Sequence, residues 1–306
     1  MDWADVTWFE WCDQILIQSS RNLKKTSRVI NRIHSYEIFT NFPAQVNWQF
    51  IDIAMFVAPH IERLFHEMFP TIVKTKVIPN GVNLEQFEFK ERSKSFNLAY
   101  VGYLNFKKNP ELLLQCMAEL VSRDARYRLH IAGEFQDMRY KYYFEQLIPA
   151  LGIEQNIVFD GWVEDIDAWL EDKSYIVSTS VLESFGFGIA EAMAKGMKPV
   201  IHNWVGAKEV YPEKYIFNTP KEFADLVCAN NYDSAEYRSY IRDNFSLPAQ
   251  ISELKALFTD TNFENNTTPT NAGLSLPRNN FIVTGIPRSG TSLLSRIYGL
   301  SQRDSL

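Results

Sequence analysis

Residues 174–201 read S-Y-I-V-S-T-S-V-L-E-S-F-G-F-G-I-A-E-A-M-A-K-G-M-K-P-V-I, and the order of residue types in this stretch decides the fold. Residues 175–177 are a short apolar run of strand type, closed by small polar residues. A loop at 181–188 follows, with glycines that can take backbone angles other residues avoid. The Ala- and Met-rich run from about 187 to 195 favours helix, and Gly196 stands where a helix stops. A second apolar run at 199–201 completes a strand, loop, helix, strand unit of a parallel sheet. The amides at the helix start and the helix dipole favour an anion such as a phosphate. Glu183 and Glu191 flank the glycines and can accept hydrogen bonds from hydroxyl groups in the same crevice. A ligand with an anionic middle and hydroxyl-rich ends, a nucleotide sugar, fits that description. The spacing alone allows a plainer reading in which Glu183 caps the loop and Glu191 is a solvated helix residue.

The 306 residues, 46% hydrophobic and 22% charged, suffice for about two globular domains. A net charge of -6 argues against a general nucleic-acid binder, so phosphate affinity must come from a local site. Cys12, Cys116 and Cys228 are scattered and form neither a metal-ligand spacing nor a disulfide framework, which suits a reducing compartment. The first residues lack the basic and apolar regions of a signal peptide, and no apolar run reaches the roughly eighteen residues of a membrane span. The expectation is a cytoplasmic protein, touching a membrane at most peripherally through its acceptor.

Strands are expected at 6–9, 27–33 and 51–57, with a helix carrying Ile61, Leu64, Phe65 and Met68 on one face. Pro79-Asn80-Gly81 marks a turn after a strand at 76–78, and Gly81 is expected to need a positive φ. A strand at 97–101 leads through Gly102 to a helix that starts near Pro110 and buries Leu112, Leu113, Cys116, Met117 and Leu120. Lys107 and Lys108 stand beside that helix N-terminus, where a cation is unfavourable unless an anion lies between; the alternative is a pair of solvated lysines. Further strands are expected at 128–132 and 157–160, the latter ending in Gly161-Trp162-Val163, with the Trp162 ring in the core. His202 and Asn203 follow the strand at 199–201, and a terminal helix is expected over 247–258. Residues 259–280 are polar, turn-rich and aperiodic, as in a flexible linker.

E-S-F-G-F-G-I-A-E-A-M-A-K-G at 183–196 resembles the signature of the retaining glycosyltransferases of GT-B fold known as family 4 or group 1. V-I-P-N-G-V at 77–82, V-G-Y-L-N-F-K-K-N-P at 101–110, I-A-G-E at 131–134 and V-F-D-G-W-V at 158–163 match in the same order. The resemblance spans roughly residues 75–258. It implies an α/β chain of GT-B type with a complete Rossmann-like donor domain at 75–259, preceded at 1–74 by part of a Rossmann-like acceptor domain. It implies transfer of a hexose from a UDP- or GDP-type donor to a glycan or other hydroxylated acceptor, with retained configuration and no metal. Glu183 would hold sugar hydroxyls, Glu191 the ribose and Lys108 the diphosphate, beside the loop of Phe185, Gly186, Phe187 and Gly188. The base would rest by Gly161 and Trp162. Tyr103 follows Gly102 where the family usually has Arg, so one cation is missing unless Lys107 replaces it.

His34 closes the strand at 27–33; a histidine there is most often structural, and by resemblance it is a candidate to reach the donor sugar. With the acceptor domain incomplete, its strands are expected to leave an edge unpaired. A non-catalytic nucleotide-sugar binding fragment is the alternative. A second motif, F-I-V-T-G-I-P-R-S-G-T-S-L-L-S-R at 281–296, resembles the 5′-phosphosulfate loop of sulfotransferases. Arg288, Ser289, Gly290, Thr291 and Ser292 would wrap the phosphosulfate of 3′-phosphoadenosine 5′-phosphosulfate, at the start of a sulfotransferase-like domain cut short over 281–306 and not packed as a domain of its own.

Overall fold

The computed structural model describes residues 4–259 and the backbone of 281–284. The expected linker at 260–280 and the phosphosulfate-loop residues Arg288, Ser289, Gly290, Thr291 and Ser292 lie outside the described residues. Contacts divide the chain into two units, Met1–Pro79 with Pro248–Leu306, and Asn80–Leu247.

The first unit holds a parallel sheet of β1 (Val6–Phe9), β2 (Arg28–Ile33), β3 (Ile53–Phe56), β4 (Lys74–Val77) and a late strand, Phe281–Thr284. Its first and third strands are buried along their whole length, as expected of a parallel sheet covered on both faces. The helix Leu247–Thr259 inserts Leu254 and Leu257 among Val6, Trp8, Ile30, Ile53 and Met55. That packing assigns the helix to the first unit. The strand Phe281–Thr284 runs parallel to β1, with Val6 opposite Phe281 and Phe9 opposite Thr284. A mostly apolar run from far along the sequence thus gives β1 a second neighbour, and this late strand and β4 are the two outer strands of the sheet.

The second unit is a six-stranded parallel sheet made of β5 (Asn97–Val101), β6 (Arg128–Ala132), β7 (Ile157–Gly161), β8 (Tyr175–Ser178), β9 (Lys198–His202) and β10 (Ile216–Phe217). The spatial order is β10-β9-β8-β5-β6-β7. The chain moves outward from β5 through β6 to β7, then returns to the other side of β5 as β8. The order of strands reverses between β5 and β8, and in open parallel sheets ligands bind outside the carboxyl ends of the strands at such a point. The helix Pro110–Arg123 buries Leu113, Leu114, Cys116, Met117 and Leu120 against this sheet, while Leu112, expected in the core, is only partly covered. Pro at its first position has no amide to leave unpaired.

Gly81 does not have the positive φ expected of it. A β-carbon there would lie 2.5 Å from Leu247 Cα and 2.9 Å from its nitrogen. The glycine is required by close approach, where Val82 N–H donates to Phe245 O and Leu247 N–H donates to Val82 O. Gly81→Ala is expected to lower the unfolding free energy by about 2 kcal/mol or more, because backbone on both sides must move. Denaturant unfolding of the full chain measures this, and an unchanged midpoint would show that the two segments separate freely.

Candidate functional site

Two loops face each other beyond β5 and β8. The loop after β5 begins at Gly102, whose φ of 142° is open to glycine. Gly133, after the neighbouring β6, comes so close that a β-carbon on it would sit 1.9 Å from Gly102 O. The turn Phe106–Lys108 is capped by the Asn105 side chain, which accepts from Lys108 N–H at 3.2 Å. Asn109 then takes a left-handed φ of 48° to enter the helix. These constraints carry the chain sharply away from the strand and leave the Lys108 side chain beneath Gly102, with Cε 3.5 Å from where a Gly102 β-carbon would be.

The second loop is tied to the first by two bonds. Val181 N–H donates to Lys107 O at 2.9 Å, and the Thr179 hydroxyl donates to Lys108 O at 2.8 Å. Across this seam Lys108 Nζ lies 2.5 Å from Glu183 Oε1, which also accepts from the Ser180 hydroxyl at 2.7 Å. Glu183 is only 8% exposed. Burial alone would raise its carboxyl, but the charges of Lys108 and Lys107, with the hydrogen bonds from Lys108 and Ser180, bring it below the ordinary value. Glu183 is thus an ionised carboxylate at neutral pH. Lys107 and Lys108 are not the solvated pair that the sequence leaves open, since both act on this carboxylate.

Glu191 differs. It lies on the helix Phe187–Ala194, makes no side-chain hydrogen bond or ion pair among the described residues, and burial raises its carboxyl to about 7. Gly186 caps that helix with a φ of 82°. Behind it the buried Tyr211 hydroxyl is 3.0 Å from Phe185 O and 3.2 Å from Gly186 O, and burial, before the charges nearby, keeps the phenol protonated. Phe185 is buried against Phe187 and Phe245, whereas Phe187 is exposed at the helix start. A β-carbon on Gly188 would meet Val101 at ordinary contact distance, so neither space nor backbone angle requires a glycine there.

Trp162 is 55% exposed, which corrects the expectation that its ring lies in the core. Gly161 before it takes a φ of 69°, turning the chain so that the indole faces Tyr103 at a centroid distance of 6.0 Å and a tilt of 34°. Tyr103 is exposed too, and its carbonyl accepts from the Tyr100 hydroxyl at 3.1 Å. Beyond the two residue types this aromatic pair leaves no trace in the sequence, because the contact joins the ends of β5 and β7.

His34 belongs to the first unit. It caps the short helix Ser35–Ile38 in a reciprocal box with Glu37, stacks on Trp11 at 4.5 Å, and places Nε2 3.3 Å from Glu10 Oε1. Glu10, 1% exposed, also accepts from Arg32 at 2.9 Å and from the Trp8 indole at 2.8 Å. Burial lifts Glu37 to about 8, so it is largely protonated at neutral pH. Glu10 and Arg32 did not stand out in the sequence; the signal was a Glu just past one strand opposite an Arg near the end of its neighbour. Among the described residues, no three His, Cys, Asp or Glu side chains are grouped to hold a metal ion, and no helix is long and apolar enough to cross a membrane.

Residues 82–243, just over half of the chain, match the family described as glycosyl transferases group 1. An uncharacterized glycosyltransferase, MJ1607 of Methanocaldococcus jannaschii, is 31% identical over 153 residues, 45% of this chain and 38% of that protein. Mannosylfructose-phosphate synthase of Agrobacterium fabrum is 31% identical over 135 residues, 41% of this chain and 30% of that protein. The matches thus span about a third of the length of these relatives. Among solved structures, Anabaena HepE with UDP and glucose aligns at a TM-score of 0.67 and 18% identity, over 76% of this chain and 71% of that one. A mutant S. aureus TarM with UDP aligns at 0.67 and 18% identity, over 78% and 52%. Both carry the GT-B type of fold, with Rossmann-like parallel sheets of the kind described above. With its switch-point loops, its Glu183 and Glu191 pair and a family match across the whole second sheet, the chain belongs to the glycosyl transferases group 1 family.

Proposed function

We propose that the second unit binds a nucleoside-diphosphate hexose of the UDP or GDP type and serves its transfer, with retained configuration, to a glycan or other hydroxylated acceptor. The observation that carries this reading is the buried Glu183 carboxylate, held ionised by Lys108 at the reversal point between β5 and β8. A diphosphate in the crevice would compete for Lys108, while Glu183 accepts from sugar hydroxyls. When the bond between the anomeric carbon and the diphosphate oxygen breaks, the electron pair leaves on that oxygen. Lys108 and the amides at the start of the helix Phe187–Ala194 would stabilise the charge. Glu191, which makes no side-chain hydrogen bond among the described residues, suits the ribose hydroxyls, and the exposed Tyr103 and Trp162 rings suit a flat base. Two of the similar structures hold UDP, which agrees with this class of donor. His34 remains a candidate for contact with the sugar, its ring oriented by Glu10. For the sequence at 281–296 we propose, from its pattern alone, a 3′-phosphoadenosine 5′-phosphosulfate loop.

Tyr103 at the position of the expected Arg favours a second reading, a nucleotide-sugar binding module without transfer. Calorimetry with UDP, GDP and their hexose conjugates, beside assays of donor hydrolysis and transfer, separates the two. Binding with no turnover selects the module, and no binding to any of these ligands removes both readings.

Glu183→Ala is expected to weaken the nucleotide sugar by about ten- to a hundredfold relative to the free nucleoside diphosphate, the size of a hydrogen bond to a charged group. Glu191→Ala should weaken both ligands alike. Equal behaviour of the two variants in calorimetry would defeat this division of labour. Because only the ionised Glu191 accepts from two hydroxyls, nucleotide affinity should rise between pH 6 and 8 and level off in Glu191→Gln.

Stability should follow the opposite sign: the raised carboxyl stabilises the fold fully below its unfolded value of 4.5, and that contribution is lost as pH climbs through about 7. Thermal unfolding of Glu191→Gln should therefore be less pH-dependent across that window than wild type. Tyr103→Arg should tighten diphosphate binding several-fold by restoring a second cation, which the same titrations read directly. No gain would mean that Lys107 already supplies it.

A further inference from the structure

We infer that His202 is a positioning residue for the Glu183 carboxylate and acts on it through Ser180. The inference rests on the donor-site reading above. His202 ends β9, and its Nδ1 lies 2.9 Å from Ser180 O. A carbonyl oxygen can only accept, so Nδ1 carries the hydrogen in either charge state of the ring. Ser180 lies two residues beyond the end of β8, outside the strand ladder, and among the described residues the imidazole is the donor that satisfies its carbonyl. The ring is steadied by Phe217 on the neighbouring β10, at a centroid distance of 5.6 Å.

Ser180 is 1% exposed, and its hydroxyl is committed in one direction. The Ser178 hydroxyl donates to Ser180 Oγ at 3.3 Å, and Ser180 Oγ donates to Glu183 Oε1 at 2.7 Å. The peptide that bears this hydroxyl is fixed on one side by the bonds from Thr179 and Val181 to the carbonyls of Lys108 and Lys107. On the other side it is fixed by His202. Release of the Ser180 carbonyl frees that side to turn, and the carboxylate loses an aimed donor while keeping Lys108. The expected loss falls on the sugar, which Glu183 addresses, and not on the diphosphate.

The geometry of the imidazole supplies a sharp test. The amide nitrogen of Asn reaches the position of His Nδ1, whereas that of Gln reaches the position of Nε2. Calorimetry with UDP, UDP-glucose, GDP and GDP-mannose on the full chain should therefore show His202→Asn close to wild type. His202→Ala and His202→Gln should weaken the nucleotide sugars by about three- to tenfold, the range of one neutral hydrogen bond, with the nucleoside diphosphates within about twofold. In a Ser180→Ala background, His202→Ala should add nothing further. Nitrogen-15 histidine NMR of the wild type should report the Nδ1–H form of His202, a readout that survives if a variant folds poorly. Rescue by Gln as good as by Asn, equal losses for both ligand types, additive losses, or an Nε2–H tautomer would each overturn the inference. Wild-type protein that binds none of the four probes would overturn the donor-site reading and the inference with it, whereas intact wild-type binding with His202→Ala unchanged overturns the inference alone.

Discussion

A carboxylate in a crevice that is nearly closed to water is unstable unless cations and donors surround it, and the loops at the centre of the second sheet are arranged around Glu183 accordingly. Losing one partner of such a pair costs about 3–5 kcal/mol, since the remaining charge is left buried. The constraint explains why the loop after β5 must turn so tightly. Lys108 reaches Glu183 only if the chain folds back beneath Gly102, and that in turn requires the glycines at 102 and 133, the Asn105 cap and the left-handed Asn109. Charge, backbone conformation and strand order are thus one arrangement seen at three scales.

Much of this was legible in the sequence because it is local. Apolar runs of strand length, Pro at helix starts and Gly at helix ends placed five strands of the second sheet within a residue or two, while the two-residue β10 is too short to leave such a run, and the residues from 183 to 191 marked the candidate site. What escaped was non-local. Gly81 reads as a turn glycine, yet the reason for it is the approach of Leu247, distant in sequence. Trp162 reads as core because of its size, but a positive φ at Gly161 rotates it outward to meet Tyr103. The strand Phe281–Thr284 pairs with β1 across the whole length of the chain, and no window of sequence carries that register. Ser180 looks like one of several small polar residues after a strand; only its distances to Glu183 and His202 single it out.

The first unit shows the same chemistry in a different balance. Glu10 gathers Arg32, the Trp8 indole and His34 at the carboxyl ends of β1 and β2, while Glu37, three residues after His34, is held largely uncharged by burial. Two buried carboxyl groups thus have unlike surroundings: Glu10 faces the Arg32 guanidinium, whereas among the described residues Glu37 receives backbone amides from Cys12 and His34. Hydrogen bonds from amides support a charge less well than a guanidinium does when water is excluded.

The Tyr211 phenol behind the glycine loop has a consequence for polarity. Two successive carbonyls, those of Phe185 and Gly186, turn toward one hydroxyl. No peptide bond in the described residues is cis, and in a trans peptide the N–H points opposite to the C=O. The amide hydrogens of Gly186 and Phe187 must therefore point away from the phenol. The phenol, 25 residues downstream of Gly186, braces the Phe185 peptide and shares Gly186 O with the amides of Ile189 and Ala190, so that the electropositive side of the loop is fixed from its rear. The face that the loop would offer to an anion is in this sense backed by a buried aromatic residue on its far side.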